Sequence, residues 1–321
     1  MFVMKKFVIN EKDAGLTLEK FTKKVLNVAP LSFIYKLFRK KDVKVNDHWQ
    51  DGKYVLNVND EVKIYVSDEQ FDEFFKKEHI LNNEAVSKYI IYEDENILIL
   101  NKPKGLLVQP DKTGVKSLDR MVVEYYADLL NNSDNAFKPG PIHRLDRNTS
   151  GIVLFGKNIR ALQYFSNVFN DHDLVGKHYY ALVVGDVKED GFIDVPIKKG
   201  NNNKVYVSYD KDSKEAKTIY HVLERYGEYT LLDVILLTGR THQIRVHMAH
   251  INHPVVGDEK YGNFNVNKLF NEKYNLKSQF LHAHELNFLD LEPPFQYLKN
   301  KTFIAKMPNE LINILKDLKG I

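Results

Sequence analysis

The stretch His143-Arg144-Leu145-Asp146-Arg147-Asn148-Thr149-Ser150-Gly151 is the most informative feature of this 321-residue chain. It places one carboxylate, Asp146, between Arg144 and Arg147 and follows it with residues that favour turns. The neighbouring positive charge is expected to keep that carboxylate ionised, and the turn would hold it in position. A bare Arg-x-Asp-Arg is often an ordinary surface ion pair, but the whole nonapeptide is far more specific. It predicts a loop that presents one fixed, negatively charged side chain.

Further motifs lie in a fixed order around this stretch. They are Asn101-Lys102-Pro103-Lys104-Gly105 upstream and, downstream, Lys177-His178-Tyr179, Thr238-Gly239-Arg240-Thr241-His242-Gln243-Ile244-Arg245-Val246-His247, Gly257-Asp258 and Leu281-His282-Ala283. Together with the nonapeptide, they resemble the RluA-type family of pseudouridine synthases over residues 89 to about 293. Several separated motifs in one order are very improbable by chance, so the resemblance is specific.

The resemblance implies an enzyme that isomerises uridine to pseudouridine in RNA without a cofactor. Such an enzyme breaks the C1′–N1 bond, rotates the base and joins C1′ to C5, after the base has left the stack. Asp146 is implied to be the essential carboxylate, and Arg245 is implied to pair with it, with Arg240 as the second candidate. Tyr179 is implied to pack against the flipped base and to take part in the C5 proton step. RNA contacts are expected from Arg144, which would fill the gap left by the base, and from Arg147, Arg240 and His242.

The implied substrate is large-subunit ribosomal RNA, because RluC/RluD-like members of this family combine such a catalytic domain with an N-terminal S4-like domain. Two alternatives stay open: the same reaction on transfer RNA, and a non-catalytic RNA-binding or ribosome-assembly factor. The joint presence of Asp146, Tyr179 and Arg245 argues against a protein that only binds RNA.

Residues 1–66 form a basic segment with 13 Lys and Arg against 8 Asp and Glu. Apolar spacing predicts a helix over 16–27 and a second helix from an N-cap at Ser32 to about Lys40, followed by strands at 43–45 and 62–66. This order resembles the S4 RNA-binding domain, although Lys41 and Asp47 stand where that domain usually has glycine. The alternative is a solvated basic helix with no RNA role. The resemblance implies RNA binding by Lys36, Arg39, Lys40 and Lys41.

Residues 67–88 are acidic and are predicted to be a linker that is partly helical, ahead of a catalytic domain over 89–321 with a core of its own. In that domain, strand-like runs at 97–100, 180–184 and 231–237 alternate with helical stretches at Ser117–Leu130 and Ile159–Asn170, which favours the α+β class. The resemblance implies a large mixed, mainly antiparallel β-sheet with flanking helices, preceded by a small S4-like α+β domain.

The composition excludes several kinds of protein. The chain has no cysteine, so disulfides and thiolate metal sites are ruled out. No apolar run is long enough for a membrane span, and the N-terminus lacks the features of a signal peptide. These observations predict a cytoplasmic protein that contacts no membrane. RNA is the partner that the resemblance implies, and a monomer is expected.

No metal or cofactor is predicted. His242, His247, His250 and His253 are closely spaced, and His247 and His250 could share a ligand on one helix face, but no carboxylate completes a known ligand pattern. Phosphate-binding loops, dinucleotide fingerprints and the Gly-x-Ser-x-Gly elbow of hydrolases are also missing from the sequence.

Overall fold

The computed structural model describes residues 2–11, 13–26, 29–74, 84–111, 116–126, 137–200 and 204–320. Within these ranges the chain forms a four-stranded sheet near the N-terminus, a large ten-stranded sheet and a short two-stranded ribbon, with helices packed against them. The predicted α+β class is confirmed.

The N-terminal sheet has the order β1-β4-β2-β3 and is antiparallel in its three pairings. Alternate residues of β4, Val62, Ile64 and Val66, are buried against the helices. The elements are β1 (Phe2–Val8), α1 (Leu18–Val25), α2 (Leu31–Lys40), β2 (Val43–Val45), β3 (His48–Trp49), β4 (Glu61–Ser67) and α3 (Asp68–Phe74).

Three local features of this part differ from the sequence prediction or extend it. Pro30, not Ser32, is the N-cap of α2, because proline suits the entry to a helix and Ser32 already lies in the first turn. Strand β1 was not predicted. Lys41 and Asp47 have left-handed backbones, with φ of 61° and 66°, at the two positions where the S4 resemblance leads one to expect glycine.

The N-terminal core is not confined to residues 1–66. Phe71 and Phe74 of α3, from the segment predicted as a linker, pack against it, and so do Phe137 and Ile159 from the following part of the chain. The Nζ atom of Lys24 lies 4.4 Å from the centre of the Phe137 ring. The two parts of the chain therefore share a buried contact. Residues 75–83 of the predicted linker lie outside the described residues.

The large sheet has the order β10-β13-β14-β9-β15-β8-β6-β5, and β7 and β16 add to β8 and β15. Its pairings are antiparallel except that of β8 with β15. Its strands are β5 (Ile90–Glu93), β6 (Ile97–Lys102), β7 (Gly140–Pro141), β8 (Ser150–Gly156), β9 (Val175–Val184), β10 (Gly191–Asp194), β13 (Lys217–Arg225), β14 (Tyr229–Leu236), β15 (Leu281–Phe288) and β16 (Thr302–Ile304). A mixed, mainly antiparallel sheet with flanking helices was predicted and is confirmed.

The ribbon and the helices complete this part of the chain. The helix predicted at Ser117–Leu130 ends at Tyr125, and residues 127–130 lie outside the described residues; the helix predicted at Ile159–Asn170 ends at Val168. The elements are α4 (Glu84–Ser87), α5 (Leu118–Tyr125), α6 (Ile159–Val168), β11 (Ile197–Lys199), β12 (Val205–Val207), α7 (Gln243–His250), α8 (Phe264–Tyr274), a 3-10 turn (Gln296–Leu298) and α9 (Asn309–Lys319).

Strands β9, β14 and β15 present different residues on their two sides. Tyr179 and Val234 belong to the core on the side that we call the inner face, together with residues of α7. Leu182 and Leu231 face the opposite side, the outer face, where α8 and α9 cover them. This alternation follows from the two-residue period of a strand. In the described residues, no helix is both long enough and apolar enough to cross a membrane.

Candidate active site

The loop that carries Asp146 lies between β7 and β8 and is held by tertiary contacts at its end. The amide of Thr149 donates to the carbonyl of Asp146 at 3.1 Å, which closes the turn. The Ser150 hydroxyl and Nδ1 of His282 are 2.8 Å apart in the interior. A Cβ on Gly151, whose φ is 117°, would lie 2.1 Å from the carbonyl oxygen of Ala283. Glycine is therefore required where β8 and β15 meet directly after the loop.

A buried lysine holds the other side of this loop. The Lys102 Nζ donates to the carbonyls of Pro103, Leu106 and Arg147 at 3.0, 2.9 and 3.1 Å, which matches the three N–H bonds of an ammonium group. Burial lowers the pKa of Lys102 to about 7, against the attraction of Asp146. Lys102 thus joins the Asn-Lys-Pro-x-Gly turn to the loop that carries Asp146.

His143, the first residue of the nonapeptide, anchors the start of the loop to neighbouring elements. Its ring stacks on Phe169 with centroids 4.2 Å apart, and its Nε2 accepts a hydrogen bond from the amide of Leu154 at 3.2 Å. Burial lowers the pKa of His143 to about 3, with a further contribution from the charge of Lys177. The imidazole is therefore neutral at physiological pH and acts as an acceptor.

Arg245, in the first turn of α7, reaches Asp146. Its Nη1 donates to Oδ2 of Asp146 at 2.8 Å, while Nε and Nη2 donate to the two carboxylate oxygens of Asp258 at 2.6 and 2.8 Å. Burial opposes the charge of Arg245, but Asp258 and Asp146 outweigh it and raise the pKa of the guanidinium. The predicted contact between Arg245 and Asp146 is present. Arg240, the second candidate, is exposed and donates instead to the carbonyl of Glu215 at 3.0 Å.

His242 lies beside the same carboxylate. Its Nε2 is 3.7 Å from Oδ2 of Asp146, and its Nδ1 is 2.9 Å from the hydroxyl of Tyr261. Burial lowers the pKa of His242, although the charge of Asp146 acts in the opposite direction. A neutral imidazole therefore adjoins Asp146, so that Arg245 is the cation in direct contact with it.

Tyr179 projects from β9 on the inner face and is 8% exposed. Burial, with the negative charge of Asp146, raises the pKa of the Tyr179 hydroxyl above its usual value. The side chain is therefore a neutral phenol that offers an aromatic face and one O–H group beside the carboxylate.

One cleft of about 920 Å³ is lined by His143, Asp146, Tyr179, His242 and Arg245. This volume is in the range of small-molecule sites and exceeds what a single base needs. Seven Lys or Arg side chains line the cleft against two Asp side chains, so it attracts anions. The basic residues are Arg144, Arg147, Lys177, Lys199, Arg240, Arg245 and Lys260.

Comparison with known proteins identifies the family. The family described as RNA pseudouridylate synthase matches residues 96–250, the range that contains Asp146, Tyr179 and Arg245. An uncharacterized RNA pseudouridine synthase from Mycoplasma capricolum subsp. capricolum is 33% identical over 318 residues, which cover 94% of this chain and 97% of that protein. The chain belongs to the RNA pseudouridine synthase family. It is therefore an isomerase that acts on RNA, as predicted.

Two further proteins are similar to this pseudouridine synthase, one in sequence and one in fold. The ribosomal large subunit pseudouridine synthase C of Vibrio vulnificus is 34% identical over 283 residues, which cover 87% of each chain. The solved structure of human RNA Pseudouridylate Synthase Domain Containing 4 superposes with a TM-score of 0.60 and 23% identity, and the match covers 74% of this chain and 95% of that one. The human protein thus shows the same fold.

The structure brings most of the predicted site residues of the synthase together and leaves one group apart. Those that line the cleft are Asp146, Tyr179, Arg245, Arg144, Arg147, Arg240 and His242. The four basic residues predicted in the N-terminal segment are exposed at the end of α2 and are not among the residues that line the cleft: Lys36, Arg39, Lys40 and Lys41.

Two residues that hold the catalytic loop and Arg245 in position were missed by the sequence prediction. Lys102 and Asp258 were identified only as members of two motifs, and no role was predicted for either. The sequence showed only a lysine at the end of an apolar strand and an aspartate after a glycine. Neither pattern indicates which residue is contacted. Lys102 contacts Arg147, 45 residues away, and Asp258 contacts Arg245 from beyond the end of α7.

Proposed function

We propose that this synthase isomerises uridines in large-subunit ribosomal RNA, with Asp146 as the essential residue. The observation that carries the proposal is the contact of Asp146 with Arg245, at 2.8 Å, inside a basic cleft that Tyr179 also lines. The ribosomal substrate is supported by the Vibrio vulnificus relative, whose name specifies the ribosomal large subunit and whose alignment covers 87% of both chains.

A single carboxylate suits this chemistry. As the C1′–N1 bond breaks, the sugar carbon C1′ loses electron density. The Asp146 carboxylate is proposed to stabilise or attack C1′, or to take a proton from C2′. Hydrolytic glycosidases use two carboxyl groups because they must also activate water or protonate a leaving group. Here the base stays in the cleft, rotates, and joins C1′ through C5, so that no water enters the product.

The C5 proton has to leave once the C1′–C5 bond has formed. Tyr179 is proposed to pack against the flipped base and to assist this step with its hydroxyl. Because the Tyr179 phenol is neutral, it can take up the C5 proton only while it passes its own O–H proton to an acceptor. The Asp146 carboxylate is the neighbouring acceptor, whereas the Arg245 guanidinium can only donate. The raised pKa of Tyr179 favours a role as a donor or as a stacking surface over that of a free phenolate base.

The basic rim is proposed to bind the RNA around the target. Arg144, Arg147, Arg240 and His242 line the cleft and are proposed to contact the RNA strand that enters it, and Arg144 is proposed to take the place of the flipped base. Base extrusion costs a few kcal/mol, so contacts that replace the lost stacking lower the barrier to it. Lys199 and Lys260 extend the positive lining and were not predicted from the sequence.

The N-terminal part is proposed to be an S4-like RNA-binding domain over residues 1–66, with 67–88 connecting it to a catalytic domain over 89–321. Lys36, Arg39, Lys40 and Lys41 are all exposed around the end of α2, so they can reach RNA phosphates. The left-handed backbones of Lys41 and Asp47 support the proposal, because they preserve turns at which an S4 domain usually carries glycine.

The test uses Asp146→Asn, which keeps the shape of the side chain and removes its charge. Single-turnover release of tritium from 5-tritiated uridine in ribosomal RNA is expected to fall below detection, while RNA binding and the unfolding transition change little. Asp173→Asn, in an exposed loop outside the cleft, is the matched control. Activity of Asp146→Asn within about tenfold of the unmodified enzyme, roughly 1.4 kcal/mol in barrier, would reject the assignment.

The substrate is tested separately, by mapping pseudouridine in total RNA from a strain that lacks the gene. Loss of specific sites in large-subunit ribosomal RNA is expected, with recovery when the gene is restored. Loss confined to transfer RNA would identify the same enzyme with the alternative substrate. An unchanged pseudouridine map, with ribosome assembly defects, would favour the non-catalytic RNA-binding factor.

A further inference from the structure

A second cluster of titratable side chains lies on the outer face of the large sheet. Nδ1 of His178 is 2.9 Å from Oδ2 of Asp233, and Nε2 of His284 is 3.1 Å from Oδ1 of the same carboxylate. One imidazole or carboxylate atom from each residue lies within 4.8 Å of the others. The three residues come from β9, β14 and β15, which are neighbours in the sheet.

This cluster is separate from the cleft. His178 precedes Tyr179 in β9, so that the two side chains leave the strand on opposite faces. Asp233 pairs across the strands with Tyr180, which also faces outward, and none of the three cluster residues lines the cleft. Neither the RNA chemistry nor the basic rim uses these side chains.

We propose that His178, Asp233 and His284 form a binding site for a divalent transition-metal ion, with Zn²⁺ as the ion that best fits the donors. Two imidazoles and one carboxylate are a donor set that Zn²⁺ accepts at about 2.0–2.2 Å. Tetrahedral ligands at that distance are roughly 3.3 Å apart. The separations of 2.9 and 3.1 Å run to different oxygens of Asp233, and one donor atom from each residue lies within 4.8 Å of the others. Movements of the two rings would therefore bring the three donors around one ion, which replaces the bridging protons.

The surroundings of the two histidines suit ligands whose orientation is fixed. The ring of Tyr180 stacks on that of His284 with centroids 3.6 Å apart and an interplanar angle of 2°. The Oδ1 atom of Asn287 is buried and, in the described structure, has no hydrogen-bond partner. Nδ2 of Asn287 and Nε2 of His178 both lie close to Gly176, at 3.5 and 3.6 Å from the position that a Cβ atom would take there.

Asn287 is the polar side chain that lies beside His178. When His178 binds an ion through Nδ1, its remaining proton sits on Nε2 and requires a partner. Because Nδ2 of Asn287 donates to Oε1 of Glu285 at 3.0 Å, the buried Oδ1 is the atom of this side chain that is left to accept. A movement of the two side chains in the ion-bound state would bring Nε2 of His178 to this oxygen.

The site is accessible and rigid. The side chains of His178 and Asp233 are 19% and 17% exposed, which leaves room for water as a fourth ligand, while His284 is 8% exposed. Three hydrogen-bonded strands hold the ligands in position before an ion binds, so binding costs little conformational entropy. Asp171, His172 and Asp173, by contrast, form a fully exposed group of consecutive residues in a loop.

An ion at this site would join β14, β9 and β15 on the face opposite to the cleft. His178 and Tyr179 are consecutive residues, so restraint of one restrains the backbone of the other. The expected role is structural: the bound ion stabilises the fold and fixes the strand from which Tyr179 projects. The inference does not depend on which RNA is the substrate.

The test measures Zn²⁺ binding to the full chain after treatment with a chelator, by calorimetry, with Co²⁺ absorption as a second probe of imidazole coordination. One ion per chain and a higher melting temperature with Zn²⁺ are expected. His284→Gln and Asp233→Asn should each weaken binding by at least about 100-fold, because one of three ligands is lost. His178→Gln, at a partly exposed position, is the variant to use if either of these fails to fold.

Two control variants make the outcome decisive. His172→Gln removes the histidine of the exposed loop group, and His48→Gln removes an exposed histidine of β3; both should bind Zn²⁺ within about twofold of the unmodified chain. Absence of binding at micromolar Zn²⁺ would overturn the proposal. Equal binding in folded His284→Gln or His178→Gln, or loss of binding in His172→Gln, would overturn it as well.

Discussion

Asp258 holds Arg245 by two parallel hydrogen bonds, one to Nε at 2.6 Å and one to Nη2 at 2.8 Å. Asp258 has no exposed surface, and Arg245 is 6% exposed. This bidentate contact uses one edge of the planar guanidinium and leaves Nη1 to point elsewhere. The direction of that nitrogen is thus set from outside the catalytic loop, and the group that it reaches is Asp146.

Replacement of Arg245 is expected to slow the chemical step. Without the guanidinium, the Asp146 carboxylate loses the hydrogen bond that holds its orientation, so the single-turnover rate should fall by at least about tenfold in Arg245→Ala. Arg245→Lys should recover part of the rate, because lysine keeps the charge but lacks the planar fork. Single-turnover rates at saturating RNA measure this effect apart from binding. Arg240→Ala, the control, should weaken RNA binding and leave the single-turnover rate nearly unchanged; the reverse result would transfer the role to Arg240.

Asp258→Asn should affect both activity and stability. The substitution leaves a buried guanidinium with one carboxylate partner instead of two, and removal of one member of a buried ion pair costs about 3–5 kcal/mol. Urea unfolding is expected to show a loss of this order, whereas Asp146→Asn should cost less because the Asp146 side chain is 26% exposed. The rate should also fall, since Arg245 is no longer aimed. Equal stabilities of the two variants would contradict this account of Asp258.

Tyr179→Phe and Tyr179→Ala separate stacking from proton chemistry. Phenylalanine keeps the aromatic face, and alanine loses both the face and the hydroxyl. If the hydroxyl assists the C5 step, Phe should stall after the C1′–C5 bond has formed and accumulate RNA-bound intermediates, while Ala should also bind the flipped base poorly. The measurement is single-turnover tritium release together with gel analysis of the RNA. A fully active Ala variant would remove Tyr179 from the site.

The basic end of α2 is expected to contribute to RNA affinity through phosphate contacts. Each neutralised phosphate adds roughly 0.7–0.9 to the magnitude of the log–log salt slope, so replacing all four basic residues by Gln should lower it by about 3.6 at most. Substitution is preferable to deletion of residues 1–66, because deletion would expose Phe137 and Ile159. The four residues are Lys36, Arg39, Lys40 and Lys41.

A matched control tests whether that effect is specific to α2. Four exposed lysines on other parts of the chain are replaced by Gln and the same titrations are repeated: Lys268, Lys299, Lys316 and Lys319. This control should keep the salt slope of the unmodified enzyme. Equal slopes for all three proteins would show that the N-terminal segment does not contact RNA phosphates.

His282 is expected to make the fold sensitive to mild acid. Its Nδ1 faces the hydroxyl of Ser150 and its Nε2 faces the carbonyl of Ala305, an arrangement that the neutral ring satisfies. Burial lowers the pKa of His282 to about 4. Between the unfolded value of about 6.5 and the folded value, the unfolded chain binds the extra proton, so stability falls as pH falls.

The loss of stability can be calculated from the difference between the folded and unfolded pKa of His282. From about pH 7 to about pH 5, His282 should account for a loss of about 2 kcal/mol in the free energy of unfolding. His282→Gln should therefore lose less stability over this interval than the unmodified chain, as measured by urea unfolding at both pH values. His172→Gln, exposed in a loop, should show the full loss. An identical pH dependence in His282→Gln would assign the acid sensitivity to other groups.

Much of the fold could be predicted because its signals are local. Alternation in 62–66 and the apolar run at 97–100 identified strands, since a half-buried or buried strand carries its pattern within a few residues. Element ends were less predictable. The cap of α2 is Pro30, so the chain enters that helix two residues earlier than the serine at position 32 suggested. Strand β1 was missed because its pairing with β4 is set by residues far along the chain.

By itself, the sequence determined the α+β class, the family and the turn that carries Asp146, because these depend on short-range patterns and on motifs in order. Only the tertiary structure decided which groups surround that turn: Lys102 beneath it, Asp258 behind Arg245, and the cluster of His178, Asp233 and His284 on the other face. The physical reason is tertiary packing. Strand order brings His178, Asp233 and His284 together from three strands, and the packing of turns and α7 beside the sheet brings Lys102 to Arg147 and Asp258 to Arg245.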